Sequence, residues 1–537
     1  MVVTASILRR HITLAYGRSA LWIERFGQGI EYLSAHSLAQ PCRWHLNVTI
    51  SREGYALQVA VRSSKPWRRL QVSRSKLAAR SSSMANRFIH RASSRLTQKD
   101  GPCRSMPAAP FPRARFFYIP NLLVHMTRDT LAHSRPTASL ASREKFSRSL
   151  RNLTPRNLAI NAAFVAGGCI TGAAGWSGHA LTLPIGIAFP ALWAFAPSRI
   201  VAALVAAAYF LGASRGLPVG TSIFFGEQLA IGISFWLAAS ILFVIVHAAL
   251  WASKGGRHRP LRYAVAAVMM SVPPFGITGW ASPITAAGVL FPGWGWYGLT
   301  AMAVGLVIMT TKYWPTAALV LGGFYAWSAT SWTAPTVPDR LAGINTQFKF
   351  TTAGQYADYA QHLETIAMVR QAVGQGASVV VLPESAFGLW SHTTESLWQG
   401  ELTGLDVRII GGAAVVDPTG YDNTMIELTP KTSQILYSQR MPVPVSMWQP
   451  WATGGADAQF FGNPYVIIEG KRAAPLICYE LLLVWPVLQS MMYEPDMIVA
   501  VGNGWWTGGS NIVSILKASG EAWASLFGLP LVMAFNM

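Results

Sequence analysis

Cys478 and Glu480 stand two residues apart at the end of an apolar run, Ala473-Ala-Pro-Leu-Ile477, which reads as a buried strand. A thiol at the carboxyl end of such a strand is held where ligands bind in open α/β sheets. A carboxylate beside it orients the thiol or takes part in proton transfer. Most lone cysteines are small buried hydrophobes instead, and on this stretch alone that alternative stands. A second carboxylate, Glu384, follows another apolar run, Ala377-Ser-Val-Val-Val-Leu-Pro383. A carboxyl group at the edge of an apolar sheet has its pKa raised by desolvation. That makes it a better base for a thiol, whose unperturbed pKa is about 8.5. Such a pair offers nucleophilic chemistry, with Cys478 attacking and Glu384 taking the proton.

The elements that must place these groups are legible between residues 341 and 537, where short apolar strands alternate with amphipathic helices. That alternation predicts a layered α/β domain. Strands are expected at Gly343–Gln347, Ala377–Glu384, Arg408–Gly412, Met425–Leu428, Gln434–Arg440, Ala473–Ile477, Asp496–Asn503 and Leu529–Phe535. Helices are expected over 355–373 and 511–526. A Pro- and Trp-rich segment, Met441 to Trp451, interrupts the series.

Upstream the chain changes character. It has 537 residues, 51% hydrophobic and only 12% charged, and the charged share is about half the usual one. Between 158 and 333 apolar runs approach the length of about 20 residues that crosses a bilayer. Seven spans are expected, at about 158–175, 180–197, 200–216, 229–252, 263–281, 295–311 and 315–333, the fifth kinked by Pro273-Pro274. The basic loop Lys254–Arg262, together with Arg199 and Lys312, belongs on the cytoplasmic side, and Arg143, Lys145, Arg148, Arg151 and Arg156 orient the first span. Seven crossings then place the rest of the chain outside, in the periplasm of a Gram-negative inner membrane. His179 and Glu227 fall near span ends, where an ionisable group is either a functional candidate or a wet interfacial residue.

The net charge of +20 belongs to one end. Residues 1–157 hold 27 Lys and Arg against 6 Asp and Glu, whereas 158–537 hold 16 against 17. The division expected is a basic, low-order extension over 1–150, a helical membrane domain over 155–335, and the α/β domain over 341–537. The extension shows no sustained helical or strand period and no secretory signal. It reads as a basic tail for nucleic acid or anionic lipid, as a transit-like segment, or as sequence upstream of a true start at Met84, Met106 or Met126. The periplasmic domain, 341–537, shows no basic patch, and direct nucleic-acid contact is not expected over 158–537.

Three stretches, Leu382-Pro-Glu-Ser385, Leu476-Ile-Cys-Tyr-Glu480 and Gly502-Asn-Gly-Trp-Trp506, resemble the nitrilase (carbon–nitrogen hydrolase) superfamily in order and rough spacing. A multi-span domain ahead of such a domain resembles apolipoprotein N-acyltransferase. The layout, with Gln439 to Trp451, resembles that of conjugal transfer proteins of the TraB type. The resemblance covers about 155–537. It implies an αββα sandwich and a Glu-Lys-Cys triad, with Glu384 as general base, Cys478 as nucleophile and Glu480 as the acidic residue after it. It implies no cofactor and no metal. The lysine position, however, holds Gln439, and Met447 stands where acyltransferase relatives carry an acidic residue. Arg440 brings charge, but in an extended strand it points away from Gln439. Those relatives also continue past the position of Met537 for several strands and a final helix.

Three functions follow as expectations. One is membrane-bound acyl transfer with a membrane lipid as donor and an envelope component as acceptor. Another is an accessory role among proteins of the conjugation apparatus, with weak or no turnover at Gln439. The third is hydrolysis of a small periplasmic amide. Trp448, Trp451, Phe460 and Phe461 are candidates either for dipping into the membrane interface or for packing under a loop.

Overall fold

The computed structural model describes residues 154–537 apart from 227, 254–255, 257 and 349–354, and the side chains of 355–358 are likewise outside the description. Before Thr154 only the backbone of short strands between Ser6 and Val72 is described. They form an antiparallel meander of four and another of three, where no sustained strand period was expected. Arg143, Lys145, Arg148, Arg151, Glu227, and Lys254 and Arg257 of the basic loop lie outside the described residues.

Helix α1, Pro155–Gly175, starts where the Thr154 hydroxyl accepts the Asn157 N–H at 3.3 Å and Pro155 occupies the first turn. A 3₁₀ helix, Ala180–Ile187, leads into α2, Ala188–Phe195. Helix α3, Arg199–Ala213, is capped by Ser198 and followed by α4, Leu217–Phe224. Helix α5 runs over Leu229–Leu250 and α6 over Arg259–Met269. The short α7, Ala287–Leu290, precedes α8, Gly295–Ile308, and α9, Trp314–Thr330.

Helices α1 and α3 pack backbone to backbone. A Cβ on Gly172 would lie 2.0 Å from the Tyr209 carbonyl oxygen, so only glycine allows this approach, as small residues do between membrane helices. By length and composition α1 and α5 can cross a membrane, and α3 with α4 makes a third crossing if that pair, bent by 61°, is one span. The other expected segments hold shorter helices. In the fifth, α6 ends at Met269 ahead of Pro273-Pro274, and a 3₁₀ turn, Phe275–Thr278, follows.

The α/β domain contains two sheets. The first comprises β1 (Leu341–Gly343), β2 (Val379–Val381), β3 (Arg408–Val416), β4 (Tyr421–Leu428) and β5 (Ser433–Ser438), in the order β5-β4-β3-β2-β1. Strands β1, β2 and β3 run parallel, and β4 and β5 continue antiparallel. The second comprises β6 (Val466–Ile468), β7 (Lys471–Ile477), β8 (Met497–Asn503) and β9 (Leu531–Asn536), side by side in that order.

Strand alternation assigns the faces. Val380, Ile409 and Ile426 pack with Ile366 and Trp398 of the covering helices α10 (Gln355–Gly374) and α11 (His392–Glu401). Val379, Val381, Ile410 and Met425 face the other way, into one core with Val499 and Val532, register partners in the second sheet. Helices α12 (Val484–Met491) and α13 (Ile512–Phe527) belong to the second sheet, and α13 buries Ile515, Leu516, Trp523 and Leu526. The layers read helix, sheet, sheet, helix, as the resemblance implied.

Candidate active site

Strand β7 delivers Cys478, and the chain turns at that residue into a 3₁₀ helix, Cys478–Leu482. The turn puts Cys478 at φ 49°, a left-handed conformation that costs a non-glycine residue energy and persists only where its surroundings hold it. Glu480 supplies that hold. Its carboxylate accepts the Ile477 N–H at 2.8 Å, the Arg440 N–H at 2.7 Å and the Met441 N–H at 3.0 Å. The Tyr437 hydroxyl donates to it at 2.8 Å. The guanidinium of Arg440 lies 4.0 Å away, and both side chains are fully buried. Arg440 also donates to Tyr437, Gln489, Ser490 and the Pro475 carbonyl. β5 ends at Ser438, and beyond it the two side chains take different partners: Gln439 takes Asn423 and the Ile477 carbonyl, whereas Arg440 is engaged by Tyr437, Gln489, Ser490 and the Pro475 carbonyl.

Glu384 follows β2 and is buried. Its backbone lies so close to β3 that a Cβ on Gly412 would fall 2.5 Å from the Glu384 Cα. The next residue, Ser385, sits at φ 65°. The Asn423 side-chain amide donates to Glu384 at 2.8 Å, and the Cys478 thiol donates to the same carboxylate. Burial pushes Glu384 up to about 7, with the hydrogen bonds from Asn423 and Cys478 acting against it. Burial, then the charge of Glu384, pushes the Cys478 thiol well up. At neutral pH the sulfur therefore carries its proton, and Glu384 is poised to take it. Backbone N–H groups of Asn503 and Tyr479 face the sulfur and moderate its rise.

Gln439 lies beside this pair. Its backbone N–H bonds the Asn423 carbonyl at 2.8 Å, its side-chain carbonyl accepts Asn423 Nδ2 at 2.8 Å, and its Nε2 donates to the Ile477 carbonyl at 3.2 Å. The lysine position thus holds a neutral amide engaged at both ends. Asn423 was not foreseen. It shares strand parity with Met425, which faces the inter-sheet core, and a polar side chain at an inward position is the signal that would have found it.

A family model for carbon–nitrogen hydrolase matches residues 244–525. The chain belongs to the carbon–nitrogen hydrolase family. Among its relatives is a conjugal transfer protein TraB of Agrobacterium fabrum, 51% identical over 426 residues, covering 76% of this chain and 100% of the relative. A probable conjugal transfer protein TraB of Sinorhizobium fredii is 50% identical over 390 residues, covering 72% and 99%. Among solved structures, a nitrilase-superfamily amidase from Nesterenkonia AN1 matches at 13% identity and a TM-score of 0.29, over 36% of this chain and 74% of that one.

In this carbon–nitrogen hydrolase chain the thiol opens on a cavity of about 300 Å³. Its walls come from both parts of the chain: Leu217 and Phe225 around α4, Phe235 and Ala239 on α5, the segment Val443–Ser446, and Trp506 and Ile512. Nearly all of this lining is apolar. Val445, on the covering segment, sits at φ 71°, a conformation a β-branched residue seldom adopts. The aromatic segment divides. Trp448 and Phe460 pack edge to face at 5.4 Å, while Trp451 and Phe461 are exposed. His179 is exposed at the start of the 3₁₀ helix that leads into α2. Among the described residues, no group of three or more His, Cys, Asp and Glu is placed to hold a metal ion.

Proposed function

We propose that this chain is a multi-pass membrane protein in which Cys478 takes an acyl group from a lipid-like donor and passes it to an amine or to water, in a system of conjugative plasmid transfer. The observation that carries the reading is the apolar cavity at Cys478, built jointly from the apolar helices and the α/β domain. A small polar amide would leave such a lining unfilled, whereas an acyl chain fills it.

Glu384 accepts the thiol proton as sulfur attacks the donor's ester carbonyl. The Gln439 amide and the backbone N–H of Tyr479 hold the oxyanion. Collapse breaks the carbon–oxygen bond, and the departing oxygen takes the proton from Glu384 and leaves as an alcohol. An amine or water then attacks the thioester, Glu384 takes its proton, and the departing thiolate regains that proton. The absent cation matters, because one lost oxyanion donor costs on the order of 10²–10³ in rate. Gln439, engaged at both ends, thus favours a second reading, in which the domain binds a partner of the transfer apparatus and turns over slowly or not at all.

Labelling of membranes with a long-chain acyl ester probe separates the two. Acyl transfer predicts rapid modification of Cys478 that is absent in Cys478→Ala and falls about 10²–10⁴-fold in Glu384→Gln. Modification no faster than that of an ordinary thiol sinks the catalytic reading and leaves the binding role.

The membrane placement rests on α5, which carries the exposed apolar stripe Leu237, Ile241 and Ile245. It also rests on taking all seven apolar segments as crossings, which keeps Arg199, the basic loop and Lys312 on one side. The α/β domain then faces the periplasm. Alkaline phosphatase fused after residue 333 should be active and fused within 256–262 inactive; the reverse pattern overturns this orientation.

A further inference from the structure

A second cavity of about 290 Å³ is lined in part by elements that also line the one at Cys478. Three elements contribute successive residues to both. Helix α5 lines the first with Phe235 and Ala239 and the second with Phe243 and His247. The chain after Cys478 lines the first with Leu482 and the second with Val484 and Leu488. Between them runs the segment 278–282, whose Thr278 and Trp280 face the first while Gly279 and Ser282 face the second.

This partition is pinned. The hydroxyl of Tyr479, the residue after the nucleophile, donates to the Ile277 carbonyl at 2.8 Å. The Tyr209 hydroxyl donates to the Ala281 carbonyl at 2.8 Å, and Trp176 Nε1 donates to that hydroxyl at 3.1 Å. Ala281 is held at φ 62°. The Trp280 ring is wedged edge-on against Phe210, with centroids 5.1 Å apart, and against Trp176 at 6.0 Å.

We propose that Trp280 is a specificity-determining residue that closes the acyl cavity and limits the length of chain accepted at Cys478. Tyr479 fixes this stop relative to the sulfur. The proposal rests on the acyl-transfer reading above. Removing the indole opens the first cavity toward Phe210, whose ring packs on Phe243, a wall of the second cavity, so a chain too long for the first extends that way.

The test uses the full-length protein in detergent micelles with p-nitrophenyl esters from C4 to C16, reading the acylation rate at Cys478 by intact mass. Trp280→Ala should raise the ratio of the C16 to the C8 rate about tenfold or more, since even one methylene in an apolar pocket changes discrimination on that scale. Trp280→Phe should give a smaller rise in the same direction. Ala267→Phe, which fills the second cavity from α6, should leave the profile of the parent chain unchanged and cancel the gain in the Trp280→Ala background. Acylation with an unshifted profile in both Trp280 variants overturns this inference and leaves the function standing. A gain that survives Ala267→Phe also overturns it. No acylation of Cys478 in any protein overturns the function and this inference together.

Discussion

Glu384 and Glu480 are both buried carboxylates at the end of the same inter-sheet core, and their surroundings differ in kind. Glu480 accepts from three backbone amides and a tyrosine hydroxyl, with a buried guanidinium at 4.0 Å. Glu384 accepts from one side-chain amide, from the backbone N–H of Asn503 and from the thiol it serves, and it lacks a cationic partner among the described residues. A carboxylate surrounded by donors is fixed and makes its neighbourhood rigid. Burial raises the pKa of both, and Glu384, with fewer donors and no cation to offset it, is pushed into the working range, where it can exchange a proton. The contrast separates positioning from chemistry without reference to the order of residues in a motif.

Exchanging each carboxylate for a neutral group should therefore give opposite phenotypes. Glu480→Leu leaves Arg440 buried and unpaired, which costs about 3–5 kcal/mol, and the protein should accumulate poorly or melt far earlier. Glu384→Gln should fold normally and fail to acylate. It should also flatten one part of the pH–stability curve. The folded pKa of Glu384 is about 7 against an ordinary 4.5, so the folded state binds the proton more tightly. Stability from this group is complete below pH 4.5 and is lost as pH rises through about 7. Thermal melts from pH 4 to 8 measure this, and an unchanged slope in Glu384→Gln contradicts the assignment of the shift.

The two carboxylates were also unequally legible. Glu384 and Cys478 end apolar runs long enough to be recognised as buried strands; β2 and β8 lie within the expected ranges, and β7 starts two residues before its expected range, at Lys471. The helix expected over 355–373 is Gln355–Gly374. Helix α11 was missed because its large apolar residues, Leu397 and Trp398, are adjacent and the rest is polar, so it shows no apolar stripe to read. Helix α12 was missed because its eight residues continue an apolar run from Leu481 without a change of period. Asn423 sits in Tyr421-Asp-Asn-Thr424, and adjacent Asp and Asn read as a turn. The pairing of β4 with β5, which matches Met425 to Tyr437, instead carries Asn423 to Gln439. The cavity was not legible at all, because its walls come from segments as far apart as Ala213 and Leu516.

The neutral character of the reacting side can be reversed directly. Gln439→Lys places a cation beside Glu384 and the sulfur, where opposite charge favours both ionised forms. The acylation rate should rise, by up to the 10²–10³ associated with one oxyanion donor, and the pH at half-maximal rate should fall below about 7. A variant that folds but gains nothing would mean that Gln439 is not close enough to the reacting carbonyl to stabilise it.

The smallest expected effect is the most diagnostic, because it isolates one hydrogen bond. Asn423 holds Glu384 below the value burial alone would set. Hydrogen bonds to charged groups contribute about 1.5–3 kcal/mol, and one pKa unit corresponds to about 1.4 kcal/mol. Asn423→Ala should therefore move the midpoint of the pH–rate profile up by about one to two units. Acylation should drop about tenfold or more at pH 7 and recover by about pH 9. Gln439 loses a partner in the same variant, and that loss has a different signature. A weakened oxyanion donor lowers the rate at every pH and leaves the midpoint in place. A displaced midpoint with a preserved plateau thus assigns Asn423 to the base. A lowered plateau with an unmoved midpoint assigns it to the oxyanion side, and the line between holding and reacting would then run between Glu384 and Asn423.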